Sequence, residues 1–515
     1  MFNSNSKAKN ILLSSSFGVV EQFLSYLMAF LFRTVLIYTL SMEYLGISGL
    51  FTNVLQVFSL AELGIGSVIS YRMYEPIKAG DQEKCAELLL FYRNIYAGIA
   101  LLVSVLGLVF YPFLPYLIKD TSEIPVDINL NIVYILFVAQ SVLSYLCVYM
   151  QSLLAADQKG YIVSIANSLS TILMNLIRIV LLRATRNYTL VLAVGIGFGI
   201  VFNFAFSIYI RHAYRKIIWS RKSVLSSAEK KEIVKDTMAL LCHKIGYTVV
   251  NSTDSLILSR FIGIRVLGIY SNYSLISAAI DAFLNKVFGS FVSTIGNMSI
   301  GTPANKKYER YKNFRFLNMW AASFCAVSMF ILTNPFLELI FGRDSLLDLP
   351  TVMVLTTNLF FNSSRIINTA YVNANGLFVK DKIRPLIQAT LNLVISIALV
   401  IKIGISGVFI GTIASMMLTV WWREGIILYR HVFSEKVWEY YINYLKWTIL
   451  TLAFSTVAYG LCRQIPVTVL GFLLRIFICM VGVNTGFALI FQKNENFLYV
   501  VGFLHNYFNG KKTDQ

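Results

Sequence analysis

Apolar residues run along this chain in stretches of about 20 or more, separated by short polar segments, with none of the alternation that a barrel strand would show. Each run is long enough to cross a hydrocarbon core of roughly 30 Å. Backbone polar groups find no water there, so the runs predict transmembrane helices. Six spans fall at 11–38, 44–71, 88–111, 129–154, 161–182 and 188–210. Six more fall at 237–259, 266–298, 314–340, 350–375, 385–401 and 405–429, and two follow at 441–462 and 466–491. The predicted fold is an all-α polytopic membrane protein of about 14 helices, with two pseudo-symmetric six-helix lobes and two C-terminal helices. By residue, this gives an N-lobe over 1–210, a cytoplasmic linker with an amphipathic helix over 211–236, and a C-lobe over 237–430. The last two spans lie within 431–492, and an interfacial tail with aromatic residues covers 493–515.

The six-plus-six pattern is also visible as a repeat. YLGISGLFTN (Tyr44–Asn53) returns as VLGIYSNYSL (Val266–Leu275), so that Gly46 pairs with Gly268 and Arg93 with Arg315, each 222 positions on. The turn at Ala156–Lys159 pairs with the one at Phe378–Lys382 to within a residue, and RHAY (Arg211–Tyr214) returns as RHVF (Arg430–Phe433). Internal duplication of a hydrophobic chain is how many transporters are built, with the substrate path between the halves. Transport across a membrane is therefore the expected class of function.

Composition sharpens the picture in one respect. Charged residues make up 14% of the 515, against about 25% in soluble domains. The net charge of +18 is not a nucleic-acid signal, because the basic residues sort by side. The 211–236 segment holds Arg211, Arg215, Lys216, Arg221, Lys222, Lys230, Lys231 and Lys235, whereas the long loop at 112–128 holds only Lys119. Under the positive-inside rule this asymmetry predicts cytoplasmic N- and C-termini. In that linker, Ser226-Ser227-Ala228-Glu229 is a capping-box signature that predicts a helix leading into span 7. MFNSNSKAKN reads as a short basic lead and not as a cleavable signal. The six cysteines are scattered singly without metal spacing, and none of the four histidines is arranged with a nucleophile. No catalytic residue, metal or cofactor is expected. Gly195, Gly197 and Gly199 sit in an apolar helix with no preceding strand, which predicts helix packing in place of a nucleotide loop.

Charge inside a membrane is costly and should face the bundle interior or water. The deep acids are Glu21, Glu62, Asp254 and Asp281, one each in spans 1, 2, 7 and 8, and Arg33, Lys244 and Lys286 share those spans. These are the opening helices of the two repeats, so the duplication places its costly residues at equivalent positions. At about 100° per residue, Gln22 and Arg33 share one face of span 1; Lys244, Asn251 and Asp254 form a sector on span 7; and Asn272 and Lys286 lie close together on span 8. Such stripes describe the wall of a polar cleft. Arg33, Lys244, Lys286 and Arg365, with Gln22, Asn251 and Asn272, are the candidate substrate contacts. Glu21, Glu62, Asp254 and Asp281 are candidate coupling or tuning acids, with Na+ or H+ coupling left open. Buried ion pairs that merely fix helix packing are the competing reading of the same residues. A mixed-charge cleft suits an anionic head group such as a diphosphate with a polar sugar chain, since phosphate calls for Arg or Lys and sugars for amides.

TDSLILSRFIGIRVLGIYSNY (Thr253–Tyr273), KKEIVKDTMALLCHKIG (Lys230–Gly246) and FRTVLIYTLSMEYLGISGLFTNVLQVFSLAELGIGSVISY (Phe32–Tyr71) resemble the corresponding segments of bacterial polysaccharide flippases in the MOP superfamily of multidrug, oligosaccharidyl-lipid and polysaccharide exporters. The resemblance implies two six-helix lobes around a cationic cavity in the bacterial plasma membrane. It also implies a cargo of undecaprenyl-diphosphate-linked oligosaccharide, flipped from inner to outer leaflet for capsule, exopolysaccharide or related polymers. A polysaccharide polymerase is an implied partner alongside the bilayer, and nucleic acid is not. In related lipid II flippases cavity arginines contact the diphosphate, and Arg33 is the positional counterpart here. A cation-coupled drug antiporter of the same superfamily would use Glu62, Asp254 and Asp281 as coupling carboxylates. A membrane-embedded glycosyl transferase or polymerase is a third reading, and the few acids in the outer loops argue against it.

Overall fold

In the computed structural model, which describes residues 4–59, 65–220, 225–289, 291, 295, 302–377 and 383–508, no strand occurs among the described residues. The first six spans are covered by α1 (Ser4–Thr39), α2 (Met42–Phe58), α3 (Ile65–Ala79), α4 (Gln82–Phe110), α5 (Leu130–Val148), α6 (Gln151–Ala156), α7 (Gly160–Thr185) and α8 (Tyr188–Ala213). The short α9 (Arg215–Trp219) leads to α10 (Ser227–Phe261) and α11 (Ile264–Gly289). After these come α12 (Ala304–Phe341), α13 (Leu349–Ser363), α14 (Ile366–Ala374), α15 (Arg384–Ile403) and α16 (Ile405–Phe433). The last three helices are α17 (Val437–Cys462), α18 (Val469–Phe491) and α19 (Glu495–Phe508).

Among the described residues, nine helices are long and apolar enough to cross a membrane, and they correspond to spans 1, 3, 5, 6, 9 and 11–14. Spans 4 and 10 are each two shorter helices in succession, span 2 contains α2 and the start of α3 with 60–64 outside the described residues, and spans 7 and 8 (α10 and α11) carry the deep polar residues. All fourteen expected spans thus have a helical counterpart.

Exposure is inverted relative to a soluble bundle. Phe23, Leu108, Val201 and Leu470 are between 67% and 78% exposed, while Asn318, Ser323, Asn368, Asn392 and Ser396 are fully buried. A surface this apolar is stable only against lipid. In lipid, helices associate through small residues and interhelical hydrogen bonds. The α15–α16 pair shows both: Gly407 and Gly411 bring α16 against the α15 backbone, and Asn392 donates to Thr412 at 2.9 Å.

The helices pack as two compact units, Met1–Ser271 and Asn272–Gln515. In the first unit α1 packs on α7, α4 on α5, α7 on α8, and α2 on α10. One core of this unit is built from Ile69, Met73, Val103, Leu153 and Ile210. In the second, α12 packs on α13 and α17, with Tyr311, Met319, Ala322, Val327 and Phe487 at the centre.

Two local features follow from short-range chemistry. The capping box forms as the sequence predicts: the Ser226 side chain accepts from Glu229 N, and the Glu229 carboxylate accepts from Ser226 N. The helix it starts continues through to Phe261, so the linker helix and span 7 are one element. In span 10, by contrast, the helix breaks at Ser364–Arg365 without proline or glycine. Asn318 of α12 bridges the break: its side chain donates to Ser363 O at 2.9 Å and accepts from Ile367 N. A neighbouring amide thus replaces the lost intrahelical bonds, as broken membrane helices require.

Candidate functional site

In the first unit, hydrogen bonds close the loop between α4 and α5 onto the junction of α10 and α11. Glu123, in the loop between α4 and α5, accepts from Ile264 N at 2.6 Å and from Arg265 N at 3.2 Å, capping the start of α11. Its carboxylate occupies the place where a Cβ on Gly263 would sit, and Gly263 has φ +139°, so glycine is required there twice over. The same loop receives the Ser259 hydroxyl at Leu117 O (2.7 Å), and Ser259 O accepts from Lys119 N (3.1 Å). Tyr44 of α2 donates to Asp127.

Beneath this closure lies Arg33. Its Nη1 donates to Ser271 O at 2.6 Å, so the cation of span 1 reaches the opening helix of the second repeat. Glu21, half-buried, accepts from Asn167 of α7 at 3.0 Å, and Gln22 is exposed. Asp254 is buried on α10, and the neighbouring Ser252 donates to Gln56 of α2 at 3.4 Å. The side chains of Lys244 and Asn251 lie outside the described residues, as does Glu62.

The remaining sequence-predicted residues belong to the second unit. Asn272 is buried and Lys286 exposed on α11. Asp281 accepts from the Ser363 hydroxyl at 2.6 Å, at the broken helix of span 10. Arg365, at the same break, is held by Glu424 of α16: its Nε lies 3.1 Å from both carboxylate oxygens, and its Nη2 also donates to Oε1. Glu424 lies between two wide turns of α16, Met417–Trp421 and Tyr429–Phe433. Local over-wide turns of this kind recur at functional sites. Asp281, Ser363, Asn318, Arg365 and Glu424 therefore form a polar node within apolar helices, in which Arg365 is already bidentate to one acid.

Three cations take roles that the sequence pattern does not specify. Arg178 of α7 lies against Gly195, 5.8 Å from the Phe32 ring, and its buried Nε has no hydrogen-bond partner. Gly195 thus makes room for a guanidinium, while Gly197 and Gly199 face open space, so the helix-packing expectation for that triplet is not what the structure shows. Arg475 donates to the carbonyls of Cys462, Ile465 and Pro466, capping the end of α17. Arg315 is enclosed by tyrosines, 4.4 Å from the Tyr440 ring and 5.4 Å from that of Tyr444. Arg178 and Arg315 depend on partners from other helices, and Arg475 on carbonyls 9 to 13 positions back, which helical spacing alone cannot supply.

The family model for polysaccharide biosynthesis proteins matches residues 11–296, more than half of the chain and nearly all of the first unit. The chain belongs to that family. No curated protein matches it. The fold is that of the MOP superfamily transporters. A structure of the lipid II flippase MurJ in an inward closed conformation aligns with TM-score 0.62 and 16% identity, covering 94% of this chain and 99% of that one. An inward-facing multidrug resistance MATE family transporter of the MOP superfamily aligns with TM-score 0.60 and 13% identity, covering 87% and 99%. A structure of the MATE multidrug transporter DinF-BH gives TM-score 0.56 and 15% identity over 84% and 99%. This member of the polysaccharide biosynthesis family is therefore a multi-pass membrane protein with a transporter fold.

Proposed function

We propose that this chain flips undecaprenyl-diphosphate-linked oligosaccharide repeat units from the inner to the outer leaflet of the bacterial plasma membrane, for capsule, exopolysaccharide or a related polymer. The observation that carries the reading is membership of the polysaccharide biosynthesis family in a chain whose fold is shared with a lipid II flippase. The chemistry of the cargo agrees with the polar residues of spans 1, 7 and 8. A diphosphate is recognised by a guanidinium or ammonium, and sugar hydroxyls by amides. In this reading Arg33, Lys244 and Lys286 hold the diphosphate, and Gln22, Asn251 and Asn272 the sugars. Glu21, Glu62, Asp254 and Asp281 would tune or release the cations, with Na+ or H+ as the coupling ion. Both termini would face the cytoplasm, and a polymerase would consume the flipped product outside.

Flipping makes and breaks no bond in the cargo, which gives a clean test. A strain lacking this protein accumulates a lipid-linked oligosaccharide on the cytoplasmic leaflet, and the purified protein in vesicles moves that lipid across without extending it. Extension of the sugar chain by the purified protein would assign it to the polymerases. Export of cationic drugs with no effect on the lipid pool would assign it to the antiporters.

A further inference from the structure

The basic end of the second unit contains a cavity of about 370 Å³ between α12, α17 and the turn joining α18 to α19. Three cations line it, Lys312, Arg315 and Lys446, against a single acid, Glu439. That acid is engaged by the Tyr308 hydroxyl at 2.7 Å, which leaves the cations in excess. Asn443, Asn494 and Asn496 supply amides on the same wall. Arg315 is only 4% exposed. Its Nη1 and Nη2 donate at 3.3 Å to Tyr429 Oη and Tyr440 O, and its Nε has no partner. A guanidinium, two ammonium groups and three amides in the wall of one cavity suit an anion.

A second cavity identifies the kind of anion. On the adjacent face of α17 lies an apolar groove of about 640 Å³, walled by Trp421, Trp422, Trp438, Tyr441 and Leu445. Ile442 lines both the cavity and the groove, so the polar and apolar compartments meet across one side chain. Tryptophans in such positions mark the membrane interface. This is the end of the unit where Lys306, Lys307, Arg310 and Lys436 cluster. By the positive-inside rule it faces the cytoplasmic leaflet, whose lipids are the anionic ones.

We propose that this pair of cavities is a binding site for an anionic phospholipid of the cytoplasmic leaflet, with the phosphate held by Arg315, Lys312 and Lys446 and an acyl chain lying along the tryptophan groove. None of the residues lining the two cavities is among those assigned to cargo, and the proposal does not depend on that assignment. Free phosphate would fill the cationic cavity and leave the groove unused. The tryptophan wall beside it is what selects a lipid.

The test titrates the purified full-length protein with phosphatidylglycerol and with phosphatidylcholine, counting bound lipids by native mass spectrometry. Wild type should prefer phosphatidylglycerol. Lys312→Ala and Lys446→Ala should each weaken that binding about fivefold, leaving phosphatidylcholine unaffected. Lys446 is exposed, so the single Lys446→Ala variant keeps the measurement available if Lys312→Ala folds poorly. No preference for the anionic lipid, or an equal preference in both lysine variants, overturns the proposal. Displacement of phosphatidylglycerol by equimolar inorganic phosphate would make the site one for the free ion. Displacement by undecaprenyl diphosphate, with loss of flipping in the same variants, would make it part of the cargo path.

Discussion

Gly46 on α2 lies so close to Ile264 at the start of α11 that a Cβ on the glycine would collide with the Ile264 carbonyl oxygen, and the Ile264 side chain would be 2.9 Å away. The contact is reciprocal. A Cβ on Gly268 would collide with the carbonyl oxygen of Met42, and the Met42 side chain too would be 2.9 Å away. Gly46 and Gly268 are repeat partners 222 positions apart, and so are Met42 and Ile264. At this crossing the repeat partners meet reciprocally, each helix presenting a glycine to the other's backbone.

Gly46→Ala and Gly268→Ala should each destabilise this crossing by about 1–3 kcal/mol, the usual cost of overpacking. Because one separation of the helices relieves both clashes, the double variant should lose less than the sum of the singles. Thermal unfolding of the four proteins in detergent measures this. Additive losses would mean that the two contacts yield independently.

The start of α10 is fastened by charge. Glu229 is paired with Lys84 of α4, and Glu232 with Arg72 of α3 at 3.2 Å. The Lys84 ammonium, then the Ser226 hydroxyl and amide, hold the Glu229 carboxyl down at about 2. A depressed carboxyl contributes its stabilisation above the unfolded value of about 4.3 and loses it as pH falls toward 2. Hydrogen-exchange protection over residues 227–233, corrected for intrinsic rates, should therefore fall as pH drops below about 4. Glu229→Gln should show the reduced protection already at about pH 7 and little further change. Unaltered protection in that variant would show that the pair does not hold the helix start.

The membrane spans are legible in the sequence because an apolar run of some 20 residues has essentially one solution in lipid. The capping box at Ser226 is legible for a similar reason, since its chemistry is complete within four residues. The pairing of Arg365 with Glu424 is not, because the two lie 59 positions apart and neither carries a local sign of the other. The break at Ser364 is equally silent: it is stabilised by Asn318, a residue on a different helix, with no proline or glycine to announce it. The polar residues of spans 1, 7 and 8 stand out by cost alone, and cost does not say which partner offsets it. For Arg33 that partner is a backbone carbonyl, and for Glu21 an amide of α7.

Arg33 separates cargo binding from packing. Its hydrogen bond to Ser271 O uses a single amino group, so the rest of the guanidinium fork is available for a phosphate. Arg33→Ala should abolish complementation of a strain lacking the protein while the amount in the membrane stays normal. Arg33→Lys should recover only part of the activity, because an ammonium cannot make the bidentate contact. Normal complementation by Arg33→Ala at normal abundance would remove Arg33 from the cargo site.

Arg365 poses the opposite question, since the sequence makes it a candidate for substrate contact and the structure engages it with Glu424. Its side chain is 16% exposed and that of Glu424 7%, so each screens the other in a low-dielectric interior. Removing one partner strands the other, which for buried pairs costs about 3–5 kcal/mol. Replacing both with apolar residues of similar volume is often neutral. Arg365→Met and Glu424→Gln should therefore each lower the amount of folded protein, and Arg365→Met combined with Glu424→Leu should restore it. Flipping by that restored double variant decides the role: activity close to wild type assigns Arg365 to packing at the span 10 break. Full abundance without flipping assigns it to the transport path, with Glu424 as the group that holds it until cargo arrives.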